Sequence, residues 1–409
     1  MHSFLRFLFY PLLNLLYSLN NIKSKDAKYN YLLFILYYSF CITLPDLAGS
    51  DMDFFNKIEL FKDVSLNRDW QFIFEGNTFE SILLVVVSFF TDNWRIMSMV
   101  WGFIIGYLNI KIIWHVIDNT SQKFNSYSIK ILIVFLVCSM PFWNIGIFRF
   151  FTASNLFIYG LLKYFENDKW FYLLVSTLAV FVHWSFIFVL IIISLFLLLK
   201  KLDSKKINYN VILLFNVIFL ISIFHSFFED FSSITNLKFD YLPQFFNQKA
   251  SGYSSEIFVN RLEDMSLSID NNFYVKWRYN LIFILVQFIF LFYLRRRNSV
   301  IDFLKIDFYF ILVFTFYFIY NQLGTFSPFD RYAYISNFFV AYLIFLFLDR
   351  FKNFKNFMPY RYLSVFVLLY VVVEIRNSFD TISILTVASS PLLSPFLLDY
   401  NFSLIDMFK

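Results

Sequence analysis

The stretch WFYLLVSTLAVFVHWSFIFVLIIISLFLLL, residues 170–199, contains no Asp, Glu, Lys or Arg. A helix of that length would measure about 45 Å at 1.5 Å per residue, and about 20 apolar residues already cross a bilayer. Such a run belongs in a membrane, and the rest of the chain agrees. Of 409 residues, 59% are hydrophobic and 24% aromatic, with 62 Phe, and only 15% are charged. Soluble domains carry about 25% charge. A net charge of +5 is too small to imply nucleic acid. Cys41 and Cys138 lie inside apolar runs and make neither a disulfide framework nor a CxxC metal signature.

Outward from 170–199, apolar runs predict helices near 29–45, 95–117, 128–143, 147–165, 209–228, 277–294, 303–320, 332–349 and 361–376, with a shorter run at 79–90. None alternates apolar with polar residues, which excludes a β-barrel. The expected fold is all-α, a polytopic integral membrane protein with roughly 11–13 transmembrane or re-entrant helices, treated as one domain over 1–409. The many aromatics are expected as lipid-facing bulk and interfacial anchors. Residues 1–20 resemble a signal peptide, but they lack a small-residue cleavage site, and Pro11 and Asn14 interrupt the apolar stretch. A retained interfacial helix or an extra span is expected there.

Lys and Arg collect on the cytoplasmic side of membrane proteins. Lys23, Lys25 and Lys28 precede the first clear span; Lys200, Lys201, Lys205 and Lys206 fill one connection, Arg295–Arg297 a second, and Arg350, Lys352, Lys355 and Arg361 a third. Segment 46–78 holds seven acids against three bases, and segment 229–276 seven against four. These two long acidic loops and the tail 377–409 are expected outside the membrane on its extracytoplasmic face. Run 79–90 is short for a span and is expected to be re-entrant. Run 170–199 is too long for one span, and a hairpin near His183 would keep Lys163, Lys169 and Lys200 on the cytoplasmic side.

Charge inside a bilayer is expensive and marks function by default. Arg149 opens helix 147–165, with Gly146, Ala153 and Gly160 near its face, a stripe that permits close helix packing or leaves room for a ligand. His183 lies deep in an apolar run. Arg331 opens a helix from an outer loop, where Asp330 could cap it. Asp51 and Asp53 stand just outside the first clear span, and Glu80 opens the short run. The four histidines make no HxxxH or HExxH pair, so no metal and no cofactor is expected. On the favoured topology Arg149, His183, Arg331, Asp51 and Glu80 all lie toward the outer face. Two arginines, an imidazole and acids suit an anionic lipid-diphosphate substrate, since Arg binds phosphate oxygens bidentately.

At these residues the chain resembles the EpsG family of exopolysaccharide polymerases, related to Wzy-type polymerases. The resemblance rests on an ordered set: Asp51 and Asp53; then Glu80; Asn144 before Arg149 with Ala153 four residues on; Lys163 and Lys169; Ala179–His183–Ser185; and Arg331 with Tyr334. Phe150 follows Arg149 where the family has Gln, and Asn144 stands farther from the arginine than the family pattern has it. The resemblance implies transfer of a growing glycan from undecaprenyl diphosphate to a second lipid-linked repeat unit, at the outer face of the bacterial inner membrane. Arg149 and Arg331 would hold the diphosphate; His183, Asp51 or Glu80 would deprotonate the acceptor hydroxyl; Asp53, Asn144, Ala153 and Tyr334 would support them. Membrane lipids and a chain-length regulator protein are the implied partners. The residues leave room for a multi-span glycosyltransferase adding single sugars from a lipid phosphosugar, a polysaccharide flippase, or, more weakly, a membrane O-acyltransferase.

Overall fold

A computed structural model describes residues 2–43, 52–67, 78–121, 126–202, 205–225, 273–297, 303–324, 329–351 and 353–408. Among these the backbone is nearly all helical, and its only β feature is an isolated bridge, Ser383 to Ser403. Six helices are long and apolar enough to cross a membrane, and four shorter apolar helices of 10–17 residues accompany them. The chain is a multi-pass membrane protein. It divides into two compact units, Met1–Ile193 with Glu374–Lys409, and Ser194–Val373.

The first unit begins with α1 (His2–Phe9) and α2 (Pro11–Asn20), separated at Tyr10 and packed on α3 (Lys25–Cys41). Ser3 Oγ donates to Asn30 Oδ1 (2.8 Å), and Asn30 Nδ2 donates to Ser18 Oγ (2.8 Å), tying the three together. The segment 46–78, expected as a loop, contains α4 (Met52–Asn67). Next come α5 (Thr78–Ser88), α6 (Trp94–Asn119), α7 (Tyr127–Cys138), α8 (Phe148–Asn167) and α9 (Trp170–Val182). The eleven residues of α5 rise about 16 Å, about half a hydrocarbon layer.

Close approach organises this unit. A Cβ on Gly102 of α6 would lie 2.0 Å from Ser39 Oγ on α3, so only glycine lets these two helices meet. Gly160 on α8 does the same for α9, where a Cβ would come 2.5 Å from both Ser176 Oγ and the Tyr172 carbonyl. Of the two roles open to the stripe beside Arg149, Gly160 takes the packing one. Asp168, at φ 52°, makes the left-handed turn between α8 and α9. Run 170–199 is broken at His183, after which a short 3-10 turn (Trp184–Phe186) leads into α10 (Ile187–Leu202). The tail is built into the unit. α17 (Ile384–Ala388) and the turns after it hold α3 through Tyr37, whose hydroxyl meets the carbonyls of Leu385 (2.8 Å) and Ser389 (3.2 Å). Asn401 Nδ2 donates to the Cys41 carbonyl (2.6 Å) and Ser390 Oγ to that of Leu8 (2.5 Å).

The second unit holds the end of α10, then α11 (Lys205–Phe224), α12 (Phe273–Arg296), α13 (Phe303–Leu323), α14 (Tyr332–Arg350), α15 (Phe354–Phe357) and most of α16 (Tyr360–Ser378). Segment 229–276 lies outside the described residues apart from 273–276. Aromatic residues build the core here and are not merely lipid-facing bulk. Phe308, Phe310, Phe314, Phe316 and Tyr317 of α13 are fully buried, and Phe219 stacks on Phe314 with centroids 5.5 Å apart. Lipid tails are as apolar as these rings, so ring packing and internal hydrogen bonds must hold the helices together. Gln287 Nε2 to Asn216 Oδ1 (2.8 Å) and Asn321 Nδ2 to Ser222 Oγ (3.0 Å) are two such bonds. Arg297, grouped by sequence with the loop charges, is buried. Its Nε and Nη2 bind both oxygens of Asp307, which also accepts from the Tyr293 hydroxyl (2.6 Å).

Candidate active site

Three helices of the first unit each contribute one charged residue to a buried cluster. Glu80, in the first turn of α5, forms an ion pair with Arg149, its Oε2 3.0 Å from Nε, and its Oε1 lies 3.7 Å from Lys57 Nζ. Lys57 also donates to the Gly146 carbonyl (3.0 Å), pinning α4 to the turn that precedes α8. Lys57 and Glu80 are only 4% and 5% exposed. Glu80 gains further from the positive end of the α5 dipole. Among the described residues, the two cations Lys57 and Arg149 face the single carboxylate of Glu80. Among the described residues Arg149 has no other ion pair, and its Nη groups meet no second carboxylate.

Aromatic neighbours explain how these residues converge. Phe79, just before Glu80, stacks on Phe148, just before Arg149 (5.9 Å, 19°). Phe148 stacks in turn on Trp101 (5.4 Å, 22°), and Trp101 contacts Phe54, one turn before Lys57 (6.0 Å). One pile of rings thus sets the positions of α4, α5, α6 and α8, and the charged groups follow their neighbours.

His183 stands at the break after α9. Its extended backbone (φ −147°, ψ 114°) still donates to the Ala179 carbonyl (2.9 Å), closing the helix. Ser185 Oγ lies 2.8 Å from His183 Nδ1, which fixes the ring. The imidazole meets the Phe150 ring edge-on at 5.7 Å, so the residue after Arg149 is also a wall of the histidine's pocket. Each member of Ala179–His183–Ser185 therefore has a physical part: a helix-ending carbonyl, the imidazole and the hydroxyl that orients it.

The structure brings Glu80 and Arg149 into contact and seats His183 against the residue next to Arg149. Ala153 is fully buried one turn along α8. Asn144 borders the turn, its carbonyl accepting from Ile147 N (3.0 Å). Asp51 lies outside the described residues, and Asp53 is placed only by its backbone, one turn before Lys57 on α4. Arg331 and Tyr334 belong to the second unit. There Arg331 ends the 3-10 turn Phe329–Arg331 ahead of α14, its Nε 3.7 Å from Asp330 Oδ1 and buried without a hydrogen bond. Asp330 gives no side-chain cap, because Arg331 is itself the N-cap residue. Arg278, near the start of α12, is a second cation acting on Asp330.

Lys57 and Arg278 are absent from the sequence-based site. For Lys57 the missed signal was amphipathic spacing: Phe54, Ile58, Phe61 and Val64 are all buried and mark one face of a helix in a segment that looked like a polar loop. For Arg278 the signal was a cation at the entry to a span, beside Trp277.

A multi-pass helical protein with charge concentrated inside one unit, and a histidine held at a helix break in the same unit, has the features that mark a functional site in a membrane protein. The sequence matches the EpsG family over residues 30–389, and the chain belongs to that family of exopolysaccharide polymerases. No curated protein and no solved structure matches the chain.

Proposed function

We propose that the protein is a membrane glycosyltransferase that joins oligosaccharide repeat units carried on undecaprenyl diphosphate into a surface polysaccharide, at the outer face of the bacterial inner membrane. The observation that carries this reading is the buried Lys57–Glu80–Arg149 cluster, which fixes the Arg149 guanidinium inside the apolar unit. A diphosphate leaving group gains charge as the glycosidic bond breaks, and fixed cations in a water-poor site stabilise that charge with little reorganisation. Arg149 offers its Nη fork to the diphosphate while Nε stays beside Glu80; Arg331 is proposed as a phosphate ligand on the family resemblance alone. Glu80 and Lys57 position Arg149.

His183 is the base. With Nδ1–H donated to Ser185, Nε2 carries the lone pair that takes the proton of the acceptor hydroxyl. The acceptor oxygen bonds to the anomeric carbon, the bond from that carbon to the diphosphate oxygen breaks, and the lipid diphosphate departs. Asp51 and Asp53 bind the acceptor sugar near the same face. The alternation of basic and acidic connections supports placing these groups on the extracytoplasmic side. A protein that sets chain length is the natural partner.

The test is an in-cell polymer ladder with stably inserted Arg149→Ala and Arg331→Ala variants. Loss of the ladder is expected for each; wild-type chain length in both would overturn the diphosphate clamp. Purified protein supplied with lipid-linked repeat unit should give a ladder, whereas single-sugar products would overturn the polymerase assignment.

A further inference from the structure

Phe103, Tyr107, Lys111, His115 and Asp118 follow one another along α6 at steps of four, four, four and three residues, a spacing that keeps them on one helix face. All five line a cleft of about 840 Å³, bordered by α3 and by the end of α8. The cleft is remote from the charged cluster: Lys163, on its α8 wall, lies about 21 Å along that helix from Arg149. Phe103 and Tyr107 stack (6.1 Å) and are about half exposed, at 48% and 47%. Lys111 lies above the Tyr107 ring (5.2 Å) and has no carboxylate partner among the described residues. His115 is within 3.3 Å of Asn119 Nδ2, and its Nδ1 lies 3.8 Å from Glu166 Oε2, an oxygen shared with Lys163. Asp118 uses one oxygen for Lys28 (2.8 Å) and remains 53% exposed.

The 26 residues of α6 measure about 39 Å, longer than the roughly 30 Å hydrocarbon layer, so its last turns reach the head-group region. An open cleft at that depth has room for an amphipathic molecule. Read from the membrane interior outward, the α6 face presents aromatic rings, then a cation and an imidazole about 6 Å apart, then a carboxylate about 4.5 Å farther on. That order complements an acyl chain, a phosphate and a terminal ammonium. We infer that this cleft binds a zwitterionic glycerophospholipid with a primary-amine head group, its phosphate on Lys111 and His115, its ammonium on Asp118, and its acyl chain against Phe103 and Tyr107. A purely anionic head group would meet Asp118 and Glu166 at the mouth. A choline head group has no N–H to donate to a carboxylate.

Native mass spectrometry of the delipidated full-length protein, supplied with phosphatidylethanolamine, phosphatidylglycerol or phosphatidylcholine of matched acyl chains, tests this. Phosphatidylethanolamine should be retained about tenfold better than the other two, the scale of one charge-assisted hydrogen bond. Lys111→Met should weaken phosphatidylethanolamine and phosphatidylcholine alike, and Asp118→Asn should bring phosphatidylethanolamine down to the phosphatidylcholine level. Both positions are exposed, and unchanged thermal unfolding in lipid-free detergent verifies folding. Equal retention of the three lipids, a preference for phosphatidylglycerol, or an undiminished amine preference in Asp118→Asn would overturn the inference.

Discussion

Replacing Glu80 by Gln separates a counter-ion from a catalytic base. The carboxylate lies 3.0 Å from Arg149 Nε and 3.7 Å from Lys57 Nζ. At an effective dielectric of about 20 these contacts amount to about 5.5 and about 4.5 kcal/mol of Coulomb attraction. Stripping water from the carboxylate offsets several kcal/mol of that sum, and breaking buried pairs of this kind costs about 3–5 kcal/mol net. Glu80→Gln should therefore lower thermal stability clearly, while an amide of the same shape stays beside Arg149. The charge of the cluster would rise by one. With Glu80 as a positioning residue, KM for the lipid-linked unit should fall and turnover should slow through tighter retention of the leaving diphosphate. The assay is polymer formation by purified protein in nanodiscs, with thermal unfolding on the same samples. Stability within about 0.5 kcal/mol of wild type, the range of neutral surface changes, would refute the ion-pair accounting. A folded variant with KM unchanged and turnover down about 10²–10⁴-fold, the scale of a lost general base, would move the base from His183 to Glu80.

Arg149→Lys keeps the charge but loses the planar fork, and polymer formation should drop by about 10²-fold, as for a lost oxyanion donor, with folding preserved by circular dichroism. Ser185→Ala should cost less turnover than His183→Ala, because it releases the ring from the hydroxyl 2.8 Å away and leaves the imidazole in place; equal losses from the two would show that the hydroxyl does more than orient. Gly160→Leu should destabilise the α8–α9 pair by at least about 1–3 kcal/mol, the usual cost of overpacking, because even a Cβ meets the Tyr172 carbonyl at 2.5 Å; an unchanged melting curve would contradict that packing. Asp307→Asn strands Arg297 in the second unit and should cost about 3–5 kcal/mol, whereas Arg295→Gln next to it should be nearly silent.

The bilayer made most of the fold readable from sequence. It demands long apolar runs and forces each to satisfy its own backbone, so 95–117 and 332–349 appear as Trp94–Asn119 and Tyr332–Arg350 with ends within two residues of expectation. Legibility failed where that demand lapses. Helix α4 mixes Lys57, Glu59, Lys62 and Asp63 with an apolar face and looks like a water-exposed loop until its spacing is counted. The tail reads from sequence only as an extracytoplasmic end, because its anchors are backbone carbonyls, which composition cannot show. In the site, Glu80, Arg149 and His183 stood out because charge is scarce in apolar runs. Lys57 did not, since its segment was already rich in charge and only burial sets it apart. The aromatics were the other blind spot: a Phe facing lipid and a Phe stacked under an arginine's neighbour have the same hydropathy.

The embrace of α3 by residues 384–401 carries a consequence for biosynthesis. The amino-terminal unit contains the charged cluster, yet part of its own framework is encoded after the whole of the second unit. During synthesis, helices 2–193 enter the membrane with Tyr37 and the Cys41 carbonyl lacking these partners, and they must wait in that unfinished state while residues 194–373 are translated and inserted. Assembly of the first unit is completed only when Leu385, Ser389 and Asn401 leave the ribosome, so a chain interrupted late would carry every proposed reactive residue and still lack a finished site.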